Sequence, residues 1–263
     1  MLFVAGVVVV AILLGKSPMT LFAGLGATSA VLMLVFKDTI LGLAAGVRLT
    51  SNDMLHKGDW ITVKSVDANG IVEDMSLTTV KVRNFDNTIV TISPATLVNG
   101  SFQNWIGMQK SGGRRVKRIV YFDFRSIRLV DETLKQTLLA KHFATEDSFK
   151  LKESLQKAIE KDIQEGKDIE DLKNPAALAP TNLQLYRRFM EKYLRQRPEV
   201  NTELTLMVRH MEATQCGLPI EFYFFIKDKV WVNYEHILAD IMEHAYALAN
   251  EFGLKIYEQY PEQ

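Results

Sequence analysis

The feature that most constrains this chain is an uncharged apolar run from Ser17 to Phe36. The run has about the 20 residues that an α-helix needs to cross the hydrocarbon core of a bilayer. Ser17 suits the N-cap of such a helix and Pro18 suits its first position. The sequence therefore predicts a transmembrane helix, with the rest of the chain organised around it.

Small residues recur along this predicted span at helical spacing, at Ala23, Gly24, Gly26, Ala27 and Ala30. Lipid tails are as apolar as leucine, so helices associate in a bilayer through the close backbone approach that small residues permit. The stripe favours packing of the helix against copies of itself. Ordinary helix packing in a membrane anchor that does not conduct is the alternative interpretation.

A first apolar run, from Met1 to Leu14, is short for a full span and lacks the basic start and cleavage site of a secretory signal. We expect it to be the end of a transmembrane helix that begins upstream, forming a hairpin with the second run; residues 1–50 would make up this membrane part. Basic residues after the second run, such as Lys37 and Arg48, outnumber the lone Lys16 of the hairpin. This bias favours a cytoplasmic location for the remainder.

After Phe36 the chain carries Lys37 and Asp38, followed by an amphipathic run. This order is typical of a chain that leaves the membrane core and turns along the interface. We therefore predict a kinked helix, with a span over 17–36 and an interfacial helix over 39–49.

The tetrapeptide LAAG at 43–46 resembles the most recognisable part of the pore helix in the mechanosensitive channel of small conductance family. An ungapped alignment from it places Ala30 and Leu34 at the two rings of apolar gate residues, and Asp38 near the usual glycine hinge. Because alanine is small, Leu34 or Met33 is the expected constriction. The resemblance thus implies pore or gate positions at Ala23, Ala27, Ala30, Met33, Leu34 and Asp38, and helix-packing positions at Gly24, Gly26, Gly42 and Gly46.

From Gly58 the hydrophobic period changes from helical to strand-like. Short β-branched runs alternate with the turn dipeptides Asn69-Gly70 and Asp86-Asn87, which predicts a small antiparallel sheet or open barrel. Residues 51–108 are expected to form this domain. They resemble the family's β domain, of the Sm-like or SH3-like kind, with Ser93-Pro94-Ala95 in a loop where the family has an Ile-Pro-Asn-type motif.

Residues 109–263 alternate predicted helices and strands, which indicates an α+β layer of ferredoxin-like kind. A strand over 116–124 opens this part, and a short strand over 254–260 is expected to complete a mixed sheet with helices on one face. A charge-rich helix over 151–163 and a long polar loop over 166–181 lie between them. This part resembles the miniconductance branch of the same family.

A basic cluster, Lys110, Arg114, Arg115, Lys117 and Arg118, has no acidic residue among its members. One interpretation is an electropositive lining that enriches anions or contacts lipid headgroups. The alternative, which we favour, is a solvated strand edge with salt bridges between subunits.

Composition and motifs exclude several other classes. The formal net charge of zero argues against a nucleic-acid partner, and the single Cys216 excludes an intrachain disulfide. Spacing of His236, Asp240 and His244 along one helix allows a metal site, but a polar helix face is the favoured interpretation because no further ligand cluster accompanies them. No nucleotide-binding or nucleophile motif is present, so we predict neither an enzyme nor a cofactor.

The resemblance implies a homoheptamer in a bacterial inner membrane, with several membrane passes and cytoplasmic soluble domains. Membrane tension would open a central pore lined by residues 18–36, and ions and small osmolytes would leave through it on hypoosmotic shock. Membrane lipids would be its other contacts. The alternatives are a membrane-anchored binding or scaffold protein, and an enzyme whose catalytic residues come together from distant parts of the chain.

Overall fold

The computed structural model describes residues 2–15, 17–150, 161 and 179–259. The chain divides into two compact units, Met1–Gly107 and Met108–Gln263. The helix predicted over 151–163, most of the polar loop over 166–181 and Lys16 lie outside the described residues.

Two helices, α1 (Leu2–Leu13) and α2 (Pro18–Ser51), begin the first unit. The Ser17 side chain caps α2 by accepting a hydrogen bond from the backbone N–H of Thr20 at 3.3 Å. The sequence predicted a kinked helix that turns near Lys37 and Asp38, and α2 runs through both residues as one helix of 34 residues. Neither residue removes a backbone donor, and the apolar period continues in phase beyond them, so the helix has no cause to end there.

Five antiparallel strands follow in the order β4-β3-β2-β1-β5. Their bounds are β1 (Trp60–Val63), β2 (Ala68–Met75), β3 (Val80–Asn84), β4 (Ile89–Ile92) and β5 (Gln103–Asn104). Between β4 and β5 lies the short helix α3 (Pro94–Asn99), where the sequence suggested a loop; the Ser93 hydroxyl caps it by accepting from the N–H of Thr96. A predicted all-β domain is thereby confirmed, with one added helix.

The turn predicted at Asn69-Gly70 is wrong. The chain reverses earlier, through a 3₁₀ turn at Lys64–Val66 and Asp67 in a left-handed conformation with φ of 52°. Gly70 lies inside β2, where a Cβ atom would stand 1.9 Å from the carbonyl oxygen of Arg83 on β3. This position therefore needs glycine for close strand approach and not for a turn.

The turn predicted at Asp86-Asn87 is confirmed. Asn87 has a positive φ of 68°, a conformation that asparagine tolerates better than most residues. An Asp86 carboxylate oxygen accepts from the Thr88 N–H at 2.9 Å and from its hydroxyl. These bonds lower the pKa of the Asp86 carboxyl.

The core of the β domain includes the end of the long helix. Leu49 of α2 is fully buried among the strand side chains, and Ala45 and Gly46 are buried one turn before it. The core cluster consists of Leu49, Leu55, Ile61, Val63, Ala68, Val72, Val80, Val82, Ile92 and Leu97. The apolar helix and the sheet are thus parts of one packed unit.

The second unit is an α/β layer around an antiparallel sheet of order β6-β8-β7. Helix α4 (Ile106–Lys110) spans the division between the units. The elements that follow are β6 (Arg114–Phe122), α5 (Glu132–Ala140), α6 (Glu146–Phe149), α7 (Asn182–Gln196), β7 (Met207–His210), β8 (Leu218–Ile226) and α8 (Trp231–Glu251).

The predicted strand over 254–260 is reduced to one bridge, between Ile256 and Phe122. Backbone hydrogen bonds from Asp123 to Lys255 and from Tyr257 to Tyr121 flank it, at 2.9 and 2.8 Å. The segment meets only the last residues of β6, so the ladder does not extend. In the described residues the sheet is antiparallel and not mixed, as the sequence had suggested.

Alternating residues of β8 form the centre of this unit, and Phe222 and Phe224 are fully buried. Tyr186 on α7 contacts the same core, and its hydroxyl donates to the carbonyl oxygen of Ala245 on α8 at 2.6 Å. Burial raises the pKa of the Tyr186 hydroxyl. At the start of α7, the buried Asn182 side chain donates to the carbonyl oxygens of Ser126 and Phe252 and so joins separate segments.

Candidate functional site

Most of α2 has no cover from the residues that the structure describes. Every residue from Ala23 to Leu41 is exposed, and among them the side chains of Leu34 and Met33 are 74% and 71% exposed. A soluble monomer rarely leaves a continuous apolar surface of this extent in water. Of the helices in the described part of the chain, α2 is the one long and apolar enough to cross a membrane. Lipid or other copies of the chain must cover it.

The exposed surface of α2 has two different faces. Ala23, Ala27, Ala30 and Leu34 follow one another by four, three and four residues, so they lie along one side of the helix. Larger side chains such as Leu32 occupy the opposite side. The small side chains leave room for another helix to come close to the α2 backbone.

Three of the four predicted packing glycines lie in open space. A Cβ atom added at Gly24, Gly26 or Gly42 would have no heavy atom within 4 Å. No contact within the described chain therefore requires glycine at these positions. The Thr28 hydroxyl, next to them, donates to the carbonyl oxygen of Gly24 at 2.9 Å and so satisfies its polar group within the helix.

Helix α1 covers another part of α2. Gly6, Val7 and Val10 of α1 face Leu21 and Leu25 of α2 across an apolar cavity of about 420 Å³. The cavity lies beside Leu25 and away from the face of Ala23 and Ala27, so α1 leaves the small-residue face uncovered.

The junction between α2 and the β domain depends on Gly46. A Cβ atom at this position would stand 2.3 Å from the carbonyl oxygen of Leu77 and 3.0 Å from its Cα atom. Leu77 belongs to the loop between β2 and β3, so the helix touches the loop backbone directly. The helix-packing role that the sequence predicted for Gly46 stays a prediction; within its own chain, Gly46 is buried against the β domain.

The loop that contacts Gly46 is held by its own hydrogen bonds. The Ser76 N–H donates to the carbonyl oxygen of Thr79 at 2.8 Å, and the Ser76 hydroxyl oxygen accepts from the Thr79 N–H at 3.0 Å. These bonds close the loop across Leu77. The bonds thereby hold the carbonyl oxygen of Leu77 in a fixed position next to the helix.

A buried carboxylate ties the segment that links α2 to β1. Asp59 is 7% exposed, and its Oδ2 atom accepts from the backbone N–H of His56 at 3.0 Å and from the Asn104 side-chain amide at 2.8 Å. The same amide donates to the carbonyl oxygen of Met54. Because β1 and β5 are neighbours at one edge of the sheet, Asp59 and Asn104 attach the segment after the helix to that edge.

Comparison with known proteins shows that the stretch containing this junction matches a known protein family. Residues 38–107 match the family described as mechanosensitive ion channel, beta-domain. The small-conductance mechanosensitive channel MscMJ of Methanocaldococcus jannaschii is 34% identical over 84 residues, which are 32% of this chain and 23% of the relative. The large-conductance channel MscMJLR of the same organism is 28% identical over 52% of this chain and 38% of its own length. The chain thus matches well under half of either archaeal protein.

Solved structures agree with this match. The match to the Helicobacter pylori MscS structure, in its closed state, covers 95% of this chain and 74% of that chain, with a TM-score of 0.57 at 13% identity. The match to the structure of Arabidopsis thaliana MSL1 covers 98% of this chain and 73% of that chain, with a TM-score of 0.63 at 11% identity. Residues 38–107 thus resemble the β domain of the mechanosensitive ion channel family, and the fold of the chain resembles those of the MscS and MSL1 structures. This family is not a class of enzymes.

The MscS-like match begins at Asp38 and includes the junction, but the predicted gate lies before it. Ala30, Met33 and Leu34 are exposed on α2, and nothing in the described chain faces them closely enough to form a constriction. Their roles stay predictions, as do those of Ala23 and Ala27. A constriction needs several copies of the helix.

Four members of the predicted basic cluster lie on β6 and divide between its two faces, because successive side chains of a strand point to opposite sides; Lys110 lies in α4. The Arg114 guanidinium lies 4.3 Å from the centre of the Tyr234 ring, on the side of the helices. Lys117, on the other side, approaches the carboxylate of Glu221 at 3.6 Å. Burial raises the pKa of the Tyr234 hydroxyl, which donates to the carbonyl oxygen of Arg115. Two members therefore have partners inside the subunit, and neither interpretation of the cluster is tested.

Sequence reasoning missed Glu221. It is fully buried on the central strand β8, between Arg209 on β7 and Lys117 on β6, with its Oε2 atom accepting from the Arg209 side chain. A charged residue within the otherwise apolar run PIEFYFFI was the available signal, since a buried acid needs cations beside it.

The possible metal ligands are not brought together. His244 stacks on the Tyr193 ring with 5.6 Å between ring centres. Within the described part of the chain, no group of three or more His, Cys, Asp or Glu side chains could hold a metal ion. Cys216 is exposed in a turn beside Gly217.

Proposed function

We propose that this chain is the subunit of an ion channel that membrane tension opens. One observation carries the proposal: an exposed apolar helix ends inside the core of the β domain that identifies the family. A simple anchor would not need to share a packed core with the domain it holds. The comparisons give no support to the alternative of a tethered scaffold.

In the proposed channel, copies of α2 surround a central axis with their small-residue faces in contact, and residues 18–36 line the pore. Leu34, with Ala30 and Met33 beside it, forms an apolar constriction that excludes ions by dewetting when it is narrow. Tension favours the conformation that occupies more membrane area, so separated and tilted helices become more populated as tension rises. Asp38 lies at the end of the lined segment.

The finer features of the proposal rest on family resemblance. The channel is a homoheptamer in a bacterial inner membrane, with several membrane passes, lipid contacts along α1 and α2, and soluble domains in the cytoplasm. Those domains surround a vestibule through which ions and small osmolytes reach the pore on hypoosmotic shock.

The direct test is patch-clamp recording from the full-length subunit reconstituted in liposomes while suction is stepped upward. We expect discrete, repeatable current steps above a tension threshold. A membrane that stays silent up to lysis, while a known mechanosensitive channel is active in parallel patches, would contradict the proposal.

Substitution of Leu34 tests the gate. Leu34→Ser wets the constriction and is expected to lower the tension threshold, whereas Leu34→Phe is expected to raise it. Leu32→Ser is the matched control, because Leu32 lies on the opposite side of the same helix and should leave the threshold close to that of the parent. Unchanged thresholds in both Leu34 variants would remove Leu34 from the gate.

A further inference from the structure

A second candidate site lies within the α/β unit. The chain between α5 and α6 forms one wall of a cavity of about 320 Å³, and one side of α7 forms the other. This volume is at the lower end of the range for small-molecule sites. We call it the α7 cavity.

The floor of the α7 cavity is apolar and aromatic. Phe143 and Phe189 meet edge to face there, with 5.3 Å between ring centres, and the buried Leu185 lies beside them. Both rings also contact Phe252 of the core, which holds them in place. A flat ring of a ligand would find aromatic surface at the base.

The rim of the α7 cavity is cationic. Arg188 and Lys192 lie one turn apart on α7 and line the cavity, and the described residues that line it include no carboxylate. In the described part of the chain, neither of the two takes part in an ion pair. The acids nearest in sequence have other partners: Glu191 pairs with Arg195 at 3.2 Å, and Glu146 with Lys135 at 3.8 Å.

Arg188 is half-buried and has no acidic partner among the described residues. A planar guanidinium binds phosphate oxygens with two parallel hydrogen bonds, and a lysine one turn away adds a second charge. The hydroxyls of Thr145 and Ser148 line the opposite wall and can bond a sugar or further oxygens.

We propose that the α7 cavity binds a small organic phosphate that carries a flat ring, the chemistry of a nucleoside monophosphate. The phosphoryl group lies against Arg188 and Lys192, and the ring lies on Phe143 and Phe189. The inference goes beyond the proposed channel function, and binding is measured without any current, so either can fail while the other stands.

The test is calorimetric titration of the purified full-length protein with adenosine 5′-monophosphate, adenosine and inorganic phosphate. We expect the monophosphate to bind, and adenosine and inorganic phosphate each to bind at least about tenfold more weakly. Arg188→Gln should weaken monophosphate binding by about tenfold to one hundredfold, since a charge-assisted hydrogen bond is lost. Gln196→Glu, which adds a carboxylate to the wall and leaves Arg188 in place, should also weaken it.

Arg195→Gln is the matched control, because Arg195 is on the same helix, pairs with Glu191 and does not line the cavity. It should bind the monophosphate as the parent does. Absence of binding at about 1 mM monophosphate, or equal binding by the parent, Arg188→Gln and Gln196→Glu, would overturn the proposal. If adenosine bound as tightly as the monophosphate, the proposed phosphate contacts of Arg188 and Lys192 would be overturned. If inorganic phosphate bound as tightly, the proposed ring contacts of Phe143 and Phe189 would be overturned.

Discussion

At Gly46 the long helix comes so close to the β2–β3 loop that a single methyl group decides whether the two fit. Gly46→Ala places a carbon atom 2.3 Å from the carbonyl oxygen of Leu77, a backbone atom that cannot move aside alone. Overpacking of this kind costs about 1–3 kcal/mol. We expect a lower unfolding temperature for the β domain, measured by tryptophan fluorescence of Trp60 and Trp105.

Gly42→Ala is the control for this substitution. It lies one turn earlier in the same helix, and a Cβ atom there meets nothing within 4 Å. Replacing glycine by alanine in an exposed helix gains about 0.8–1 kcal/mol of helix propensity. Equal unfolding temperatures for the two variants would show that the contact with Leu77 is not tight.

Because of Tyr186, we expect the α/β unit to lose stability at alkaline pH. Burial raises the pKa of its hydroxyl above the ordinary value of 10.0. Below that pH the folded and unfolded chains both keep the proton, so the stability of the neutral phenol is fully present. Above it the unfolded chain releases the proton first, and the free energy of unfolding falls as pH rises.

We therefore expect the unfolding temperature to fall less steeply above pH 10.0 in Tyr186→Phe than in the parent. Below pH 10.0 the variant is less stable than the parent by about 1 kcal/mol, because the hydrogen bond to Ala245 is lost. Only the slope with pH reports the ionisation. Tyr121→Phe, at an exposed tyrosine, is the control; parallel profiles for the parent and Tyr186→Phe would contradict the prediction.

At the scale of elements, periodic patterns and capping residues predicted most helices and strands correctly. The apolar run and the Ser17 cap predicted α2, and the alternation in PIEFYFFI predicted β8. The turn at Gly70 was predicted wrongly because glycine is used both in turns and where two strands come close. Only the contact of Gly70 with the backbone of Arg83 shows which of the two roles applies. The kink near Asp38 stays a prediction; the helix continues through this position because charge alone does not end a helix.

The candidate site was predictable only in part. The small residues of α2 are a local signal, and the sequence contains it in full. The contact of Gly46 with Leu77 joins positions on different elements, and the ion pairs of Glu221 join three strands. Such contacts depend on register and loop geometry, which no local pattern records.

The β2–β3 loop is the element through which α2 contacts the sheet, and Ser76→Ala tests its rigidity. Loss of the hydroxyl removes the bond to the Thr79 N–H and is expected to cost about 1 kcal/mol. Hydrogen exchange at the Thr79 amide should become faster. On the proposed function, the tension threshold in patch recordings should also change, because the loop supports the helix at Gly46.

Thr88→Ala is the matched control for the loop. Thr88 stabilises the turn between β3 and β4, which is not the loop that contacts α2. Thr88→Ala should lower the free energy of unfolding by a similar amount and leave the tension threshold of the channel unchanged. A threshold that shifts equally in both variants would assign the effect to general loosening of the domain.

At the scale of the whole molecule, the bare surface of α2 needs cover from lipid or from other copies of the chain. On the proposed function, Ala27→Leu places a large side chain on the small-residue face and should reduce the heptamer fraction in native mass spectrometry, because the helices can no longer approach closely. Ser29→Leu, nearly opposite on the helix, should retain the parent's oligomer. A full heptamer population in Ala27→Leu would exclude this face from the subunit contacts.

The continuity of α2 has a mechanical consequence. From Gly46, where it is clamped, back to Ala23 the helix is about 35 Å long at 1.5 Å per residue. A rod of that length, tilted by about 5° at its fixed end, displaces its far end by about 3 Å. The β domain would then be the fixed point about which α2 tilts. A displacement smaller than a side chain at the β2–β3 loop would produce a displacement about as wide as a water molecule at the far end of the helix.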